Sequence, residues 1–471
     1  MKRWASLVLA LGIAVPSAWA QDVGGDWIGH LPSGFQVLVH VDETSHGYAG
    51  VLINPSGNQT PLDQVTAATG HLHFGATALS LGYDGDWDSH RKIWHGQLTF
   101  QKIYPLDLHR ATAAELHPAP PKRPQEAAIQ AGPRPYVSSD AQFPNVHADI
   151  MLAGTLSVPS GKGPFPAVVL VSGTGHNTRD ESVWGHQVFL VLADALNRAG
   201  IATFRYDKRG VGGSGGDYDA ATTADFADDA DAAATWLRAQ PHIDANRVGV
   251  LGHSEGGLIA PMVATRDPHV AFVVTIAGPA IRGDHLFVLQ SAMTARVYGA
   301  PGDYIARRKR FDQRLYDTIN AADSARAARE RADALVAQGV RDKVVDPNEA
   351  RSLAADTTSR WERYFLAYDP APALRKLTVP VLALNGSLDV QVPARENLAA
   401  MRRALAANPR ATIVELHGMN HLLQDATSGA PDEYNGIEET MSPRALALVC
   451  DWVKRWSGPP ASGQVAQTAA H

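Results

Sequence analysis

Three textures of apolar and polar positions succeed one another along this chain. From residue 24 to 110 the two kinds alternate between Gly, Asn and Asp turns, as in Phe35-Gln36-Val37-Leu38-Val39-His40-Val41 and Lys92 to Phe100. A period of two marks half-buried antiparallel strands. A faint echo, W-x-G-x-L, joins Trp27 to Leu31 with Trp94 to Leu98, and predicts two related strands of one small β-sheet or barrel. Residues 111–134, rich in Ala, Pro and charge and including Pro118-Ala119-Pro120-Pro121, are expected to form a linker.

From about residue 135 short apolar runs alternate with helical stretches. The runs are Ala167–Val171, Ile201–Phe204, Arg247–Leu251, Phe272–Ile276, Pro380–Leu384 and Thr412–Val414. Near-continuous apolar strands need both faces covered, so they predict a mostly parallel sheet between two layers of helices. Residues 283–376 break the rhythm with amphipathic helices, such as Asp323 to Gln338, and no convincing strand. An insertion of this size between two sheet strands is expected to cap the strands' C-terminal edge, where open α/β sheets bind ligands.

Composition narrows the picture. The chain has 471 residues, 45% of them hydrophobic, and a net charge of -6. That length suits two or three domains, and that charge gives no footprint for nucleic acid or an anionic membrane. Lys2 and Arg3, the apolar run Leu7 to Val15 and the small-x-small Ala18-Trp19-Ala20 form an export signal over residues 1–20. The apolar run is too short for a comfortable membrane span, so cleavage before Gln21, no membrane insertion afterwards, and a periplasmic or secreted location are expected. The only cysteine, Cys450, excludes an intramolecular disulfide and a cysteine-based metal site, and its apolar setting predicts burial.

The candidate chemistry centres on Gly252-His253-Ser254-Glu255-Gly256, between the apolar run Arg247–Leu251 and the helix-like Gly257 to Ala260. Strand, G-x-S-x-G turn and helix make a nucleophile elbow, with Ser254 as nucleophile. A serine nucleophile needs a base, and the base an orienting acid. Asp389, beyond the strand Pro380–Leu384, is the candidate acid, with Asp369 and Asp425 as rivals. His421, beyond the strand at 412–415, is the candidate base, with His417 as rival. Backbone N–H groups of Glu255 and of the loop Ser172 to Asn177 would form the oxyanion hole, with Thr174 chosen over Gly173 and Gly175. Arg179-Asp180 is expected to staple this loop as an ion pair, and Arg205 to Arg209 to be structural.

Two further motifs are weak. Gly210 to Gly215 fits G-x-G-x-x-G, but no helix opens at its last glycine, so a tight loop is expected rather than a dinucleotide site. His71-Leu72-His73 puts two imidazoles on one strand face with no evident third ligand. No cofactor and no metal are expected.

Several segments together resemble the EstD-type esterase group of α/β-hydrolases, near the serine aminopeptidase and prolyl-oligopeptidase-like hydrolases. They are Ser172-Gly173-Thr174-Gly175 with Arg179-Asp180, Asp207 to Gly212, Gly252 to Gly257, Asn385 to Asp389 with Val392-Pro393, and Asn420 to Gln424, within about residues 140 to 457. His176-Asn177-Thr178 departs from the Pro-Gln that relatives often carry. The resemblance implies an α/β-hydrolase fold over 135–471 with a helical cap at 283–376, preceded by an all-β domain at 21–110. It further implies a short-chain carboxylester hydrolase acting on a small-molecule ester. A serine peptidase is the enzymatic alternative. A non-catalytic glycan- or cell-wall-binding module is the alternative of another class.

Overall fold

The computed structural model describes residues 23–31, 36–45, 47–53, 59–76, 81–100, 102–116, 122–347 and 349–457. The expected signal at 1–20, its cleavage point and the Pro118–Pro121 stretch lie outside them. The chain divides into two compact units, Met1–Ala119 and Pro120–His471.

The first unit is one antiparallel sheet of nine strands: β1 (Gly25–His30), β2 (Gln36–Thr44), β3 (Gly47–Ile53), β4 (Gln59–Pro61), β5 (Gln64–Ala68), β6 (His71–Ala76), β7 (Leu81–Asp88), β8 (Ile93–Phe100) and β9 (Lys102–Arg110). Their order is β4-β3-β2-β1-β9-β8-β7-β6-β5. The sheet curls into a half-barrel, and its inner face is filled by Trp27, Val39, Leu72, Phe74, Tyr83, Trp94 and Leu108. The W-x-G-x-L echo falls on β1 and β8, the two neighbours of β9. Trp27 and Trp94 meet edge to face, ring centroids 5.9 Å apart. The outer face carries the polar half of the alternation. His71 pairs with Asp86 (2.9 Å) and His73 with Asp84 (2.8 Å) across adjacent strands. Among the described residues no cluster of three or more His, Cys, Asp or Glu could hold a metal ion.

The expected linker holds two short helices, α1 (Ala113–Leu116) and α2 (Pro124–Ala131), and the second belongs structurally to the second unit. Gln125 Nε2 donates to the Met441 carbonyl (2.9 Å), the Glu126 carboxylate accepts the Thr440 hydroxyl, and Ile129 is buried. The Ala- and Pro-rich composition concealed these anchors. A chain starting at Pro120 should therefore keep the stability of the second unit. One starting at Tyr136 should lose at least about 2 kcal/mol, because several buried polar groups lose partners. Urea midpoints of the two truncated chains test this. Equal midpoints would show that α2 is dispensable.

The second unit is an eight-stranded sheet in the order β10-β11-β15-β12-β16-β17-β18-β19. Its strands are β10 (Tyr136–Asn145), β11 (Ile150–Pro159), β12 (Phe165–Val171), β15 (Ala202–Tyr206), β16 (Ile243–His253), β17 (Val273–Ile276), β18 (Val381–Gly386) and β19 (Ala411–Leu416). A small hairpin, β13 (Ser182–Val183) and β14 (His186–Gln187), follows β12. From β15 through β19 all pairings are parallel. Successive residues of β12 serve opposite faces. Ala167, Val169 and Val171 pack with α4 (Thr223–Arg238) and α5 (Glu255–Arg266), whereas Val168 and Leu170 pack with α3 (Val188–Arg198) and α14 (Pro443–Ser457). Two buried faces explain the unbroken apolar runs. Cys450, on α14, is buried, and burial pushes its thiol up to about 11.

Between β17 and β18 the inserted block forms six helices: α6 (Gly283–Val297), α7 (Gly302–Asn320), α8 (Ala325–Arg341), α9 (Ala350–Thr357), α10 (Arg360–Ala367) and α11 (Ala371–Lys376). It has its own core around Phe311, Leu315, Ile319, Leu335 and Leu366. The basic run Arg307 to Arg310 is not uniformly exposed. Arg308 is turned inward, bonded to Asp312 (2.7 Å) and Glu349 (2.6 Å). α12 (Ala394–Ala404) and α13 (Pro431–Tyr434) complete the unit. Among the described residues no helix is long and apolar enough to cross a membrane.

Candidate active site

Four loops at the C-terminal ends of neighbouring parallel strands converge here, the edge at which α/β sheets bind ligands. β16 ends at His253 and α5 begins at Glu255, so Ser254 alone makes the turn. Its backbone stands at φ 55°, ψ -120°, outside the ordinary wells for a residue with a side chain. Two glycines make the turn possible. A Cβ on Gly252 would stand 1.8 Å from the Gly256 carbonyl oxygen, and one on Gly256 would stand 1.9 Å from the Val171 carbonyl oxygen. The half-buried Ser254 is thereby lifted above the sheet into a cavity of about 310 Å³.

Asp389, three residues beyond β18, is fully buried. Its Oδ2 lies 2.8 Å from Nδ1 of His421, itself 3% exposed and placed by the loop after β19. The other oxygen, Oδ1, accepts the N–H groups of Gln391 and Val392, both at 2.8 Å. These bonds fix the carboxylate, and the carboxylate fixes the imidazole. The rival residues are engaged elsewhere. Asp369 accepts the Ala371 N–H, Asp425 binds Ser442 and Arg444, and His417 is exposed on its turn. Ser254 and His421 line the same cavity.

The loop expected to supply an oxyanion donor follows β12. The Gly173 N–H already donates to Glu181 Oε1 (2.5 Å) and that of Gly175 to the Tyr218 hydroxyl (2.8 Å). Thr174 lies between them on the cavity wall. Glu255 opens α5, so its N–H is one of the donors a helix start leaves unpaired, at the positive end of the helix dipole.

A strand, a strained serine turn, a following helix and a buried Asp–His pair beyond the ends of β18 and β19 form one recurrent arrangement. The model of the alpha/beta hydrolase family matches residues 168–436, more than half of the chain. The chain belongs to this family. Esterase EstD of Thermotoga maritima is 27% identical to this hydrolase over 277 residues, 58% of this chain and 58% of that protein. The thiohydrolase apmlB of Arthrinium phaeospermum is 33% identical over 132 residues, 27% of this chain and 39% of that protein. The chain thus matches less than two thirds of the length of these relatives. Among solved structures, an esterase of Pyrococcus furiosus superposes with a TM-score of 0.42 at 16% identity, over 69% of this chain and 92% of that one.

Around the hydrolase site lie residues whose part the sequence did not reveal. The Glu255 side chain is completely buried and accepts three donors: Lys208 Nζ (2.9 Å), the Thr223 hydroxyl (2.7 Å) and the Trp361 indole N–H (2.6 Å). Lys208 also stands over the Phe226 ring, 4.3 Å from its centroid. Glu255, the residue next to Ser254, is thus tied to the sheet loop, to α4 and to the cap helix α10. Lys208→Met would leave a buried carboxylate without its cation. A loss of about 3–5 kcal/mol in unfolding free energy is expected, read as a lower urea midpoint. A loss below about 1 kcal/mol would show that Lys208 does not hold Glu255.

A second buried couple lies on the other side. Glu181 Oε1 accepts His253 Nδ1 (3.0 Å) as well as the Gly173 N–H, and His253 Nε2 reaches the His421 carbonyl (3.1 Å). Glu181 pulls the His253 pKa up against the burial that lowers it. Arg179 and Asp180 do not pair with each other. Arg179 grips Asp207 (2.8 Å), just past β15, and Asp140 of β10, and Asp180 bonds Arg205 of β15, so both staple the loop to the edge of the sheet. The Gly210–Gly215 loop folds around the Asp207 carboxylate, which accepts the Gly213 N–H at 3.0 Å. Its anion-facing position is filled by the chain itself. One cue existed in the sequence: three consecutive charged residues, Asp207-Lys208-Arg209, closely follow an apolar run, and the structure buries all three. Buried charges are paired charges.

Proposed function

We propose that this hydrolase cleaves short-chain carboxylic esters through a covalent acyl-enzyme. Ser254 Oγ attacks the ester carbonyl carbon while His421 Nε2 takes its proton. Asp389 holds His421 Nδ1–H and stabilises the imidazolium that forms. The negative charge on the carbonyl oxygen is met by the N–H groups of Thr174 and Glu255. Collapse of the adduct breaks the bond to the alcohol, which takes the proton from His421. Water then repeats the sequence and releases the acid. The observation that carries this reading is the 2.8 Å contact between His421 Nδ1 and Asp389 Oδ2, out of solvent, beside the strained Ser254 turn.

The acyl group must fit a cavity of about 310 Å³ roofed by Leu286, Phe287, Trp361 and Phe365 of the cap. That volume lies at the low end for ligand sites. Turnover of p-nitrophenyl esters should peak between acetate and hexanoate and fall by at least about tenfold at palmitate, each excess methylene lacking room. A maximum at long chains overturns the short-chain reading. Aminoacyl anilides in parallel separate the esterase from a peptidase, since turnover of the anilides alone would reverse the assignment. A folded protein that no fluorophosphonate labels would favour a binding module.

A further inference from the structure

The hairpin β13–β14 crosses the cavity wall with only two residues at its tip, Trp184 and Gly185. Both have positive φ, 48° and 78°, the signature of a type I′ turn. The first position of such a turn favours Asn or Asp, because a bulky side chain is strained in the left-handed region. Here it holds the largest side chain available. The residue is also 38% exposed, so burial does not explain its presence.

The turn is firmly held nonetheless. Arg123 donates to the Gly185 carbonyl at 3.0 Å. The buried His186 bonds Thr440 (2.8 Å) and the Tyr434 carbonyl (2.9 Å). The Tyr434 ring meets the Trp184 indole edge to face, centroids 4.7 Å apart at 83°. A strained, exposed aromatic residue fixed on three sides at a cavity wall is the mark of a binding element.

The cap contributes matching surface. Phe287, Phe365 and Trp361 line the same cavity and stack on one another, Phe287 on Phe365 and Trp361 on Phe365, both at 5.0 Å. Trp361 cannot swing freely, because its N–H is bonded to the buried Glu255. Rigid rings from two independent elements therefore face the space beside Ser254. Such surfaces favour a flat π system over an aliphatic group of equal size.

We infer that Trp184 and the cap rings Phe287 and Trp361 form a subsite for an aromatic ring, so that the favoured substrates are small esters carrying one. This rests on the esterase reading above. The ring could belong to the acid or to the alcohol, and paired substrates separate these. Methyl benzoate against methyl cyclohexanecarboxylate tests the acyl side. Benzyl acetate against cyclohexylmethyl acetate tests the alcohol side. Methyl butyrate serves as the reference, and release of acid is followed by titration, because chromogenic aryl esters would themselves fill the subsite.

In one pair the aromatic member should have a kcat/KM about three- to tenfold higher, the range expected of an aromatic pair. In Trp184→Leu that ratio should fall towards one. Phe287→Leu repeats the test should the first variant not fold. Ratios near one in both pairs, with methyl butyrate turned over, overturn the subsite and leave the esterase reading intact. An undiminished ratio in both variants overturns it too. No turnover of any of the five esters overturns the esterase reading, and the subsite with it.

Discussion

Ser254→Ala should lower ester turnover by about 10⁵-fold or more while leaving the fold unchanged. The hydroxyl is the only atom removed that the proposed chemistry uses, and loss of such a nucleophile typically costs this much. The residual rate would come from the oxyanion donors and substrate binding alone. The backbone gives a second reason to choose alanine. Ser254 stands at φ 55°, and alanine relieves that turn no better than serine does, so stability should move little. Circular dichroism and a urea titration check the fold, and a burst measurement with p-nitrophenyl acetate checks the chemistry. A variant that keeps most of its turnover would remove Ser254 from the mechanism and the acyl-enzyme with it.

Asp389→Asn should cost about 10³- to 10⁴-fold in kcat with a much smaller change in KM. The loss comes from proton placement. Asp389 Oδ2 accepts from His421 Nδ1, which leaves Nε2 free to take the serine proton. An asparagine amide in its place donates to Nδ1 and drives the proton to Nε2, where it blocks that step. Asparagine keeps an oxygen for the Gln391 and Val392 N–H groups, so the loop after β18 should hold its shape. The same change at Asp425, which only ties Ser442 and Arg444 together, should leave kcat within about threefold. If Asp425→Asn proves severe and Asp389→Asn mild, the acid has been misassigned.

The parts legible in the sequence are those with local signals. Apolar runs such as Ala167–Val171 announced strands buried on both faces, and the two glycines around Ser254 announced a turn in which no Cβ fits. Asp389 and His421 could be singled out because each follows a strand, and the fold brings them together. The partners of Glu255 had no such signal. Lys208, Thr223 and Trp361 lie 47, 32 and 106 residues from it, on a loop and two helices, and no periodicity links them. The Trp184 hairpin escaped because strands of two residues have no period to detect. Helix α2 escaped because its Ala- and Pro-rich surroundings have the composition of a linker, whereas its anchors, Gln125 and Glu126, bond residues more than three hundred positions away. Sequence texture reports what a segment does with its own neighbours, and these three features depend on distant ones.

The state of Cys450 makes the whole chain convenient for site-specific labelling. The only thiol is buried in α14 and held near pKa 11, so at neutral pH it offers almost no thiolate to a maleimide. A single cysteine introduced at the exposed Ala306 of α7 would therefore be the one reactive site on the native protein, with no prior removal of the natural residue. A fluorophore there would report, from the cap alone, whether those helices move when an ester enters.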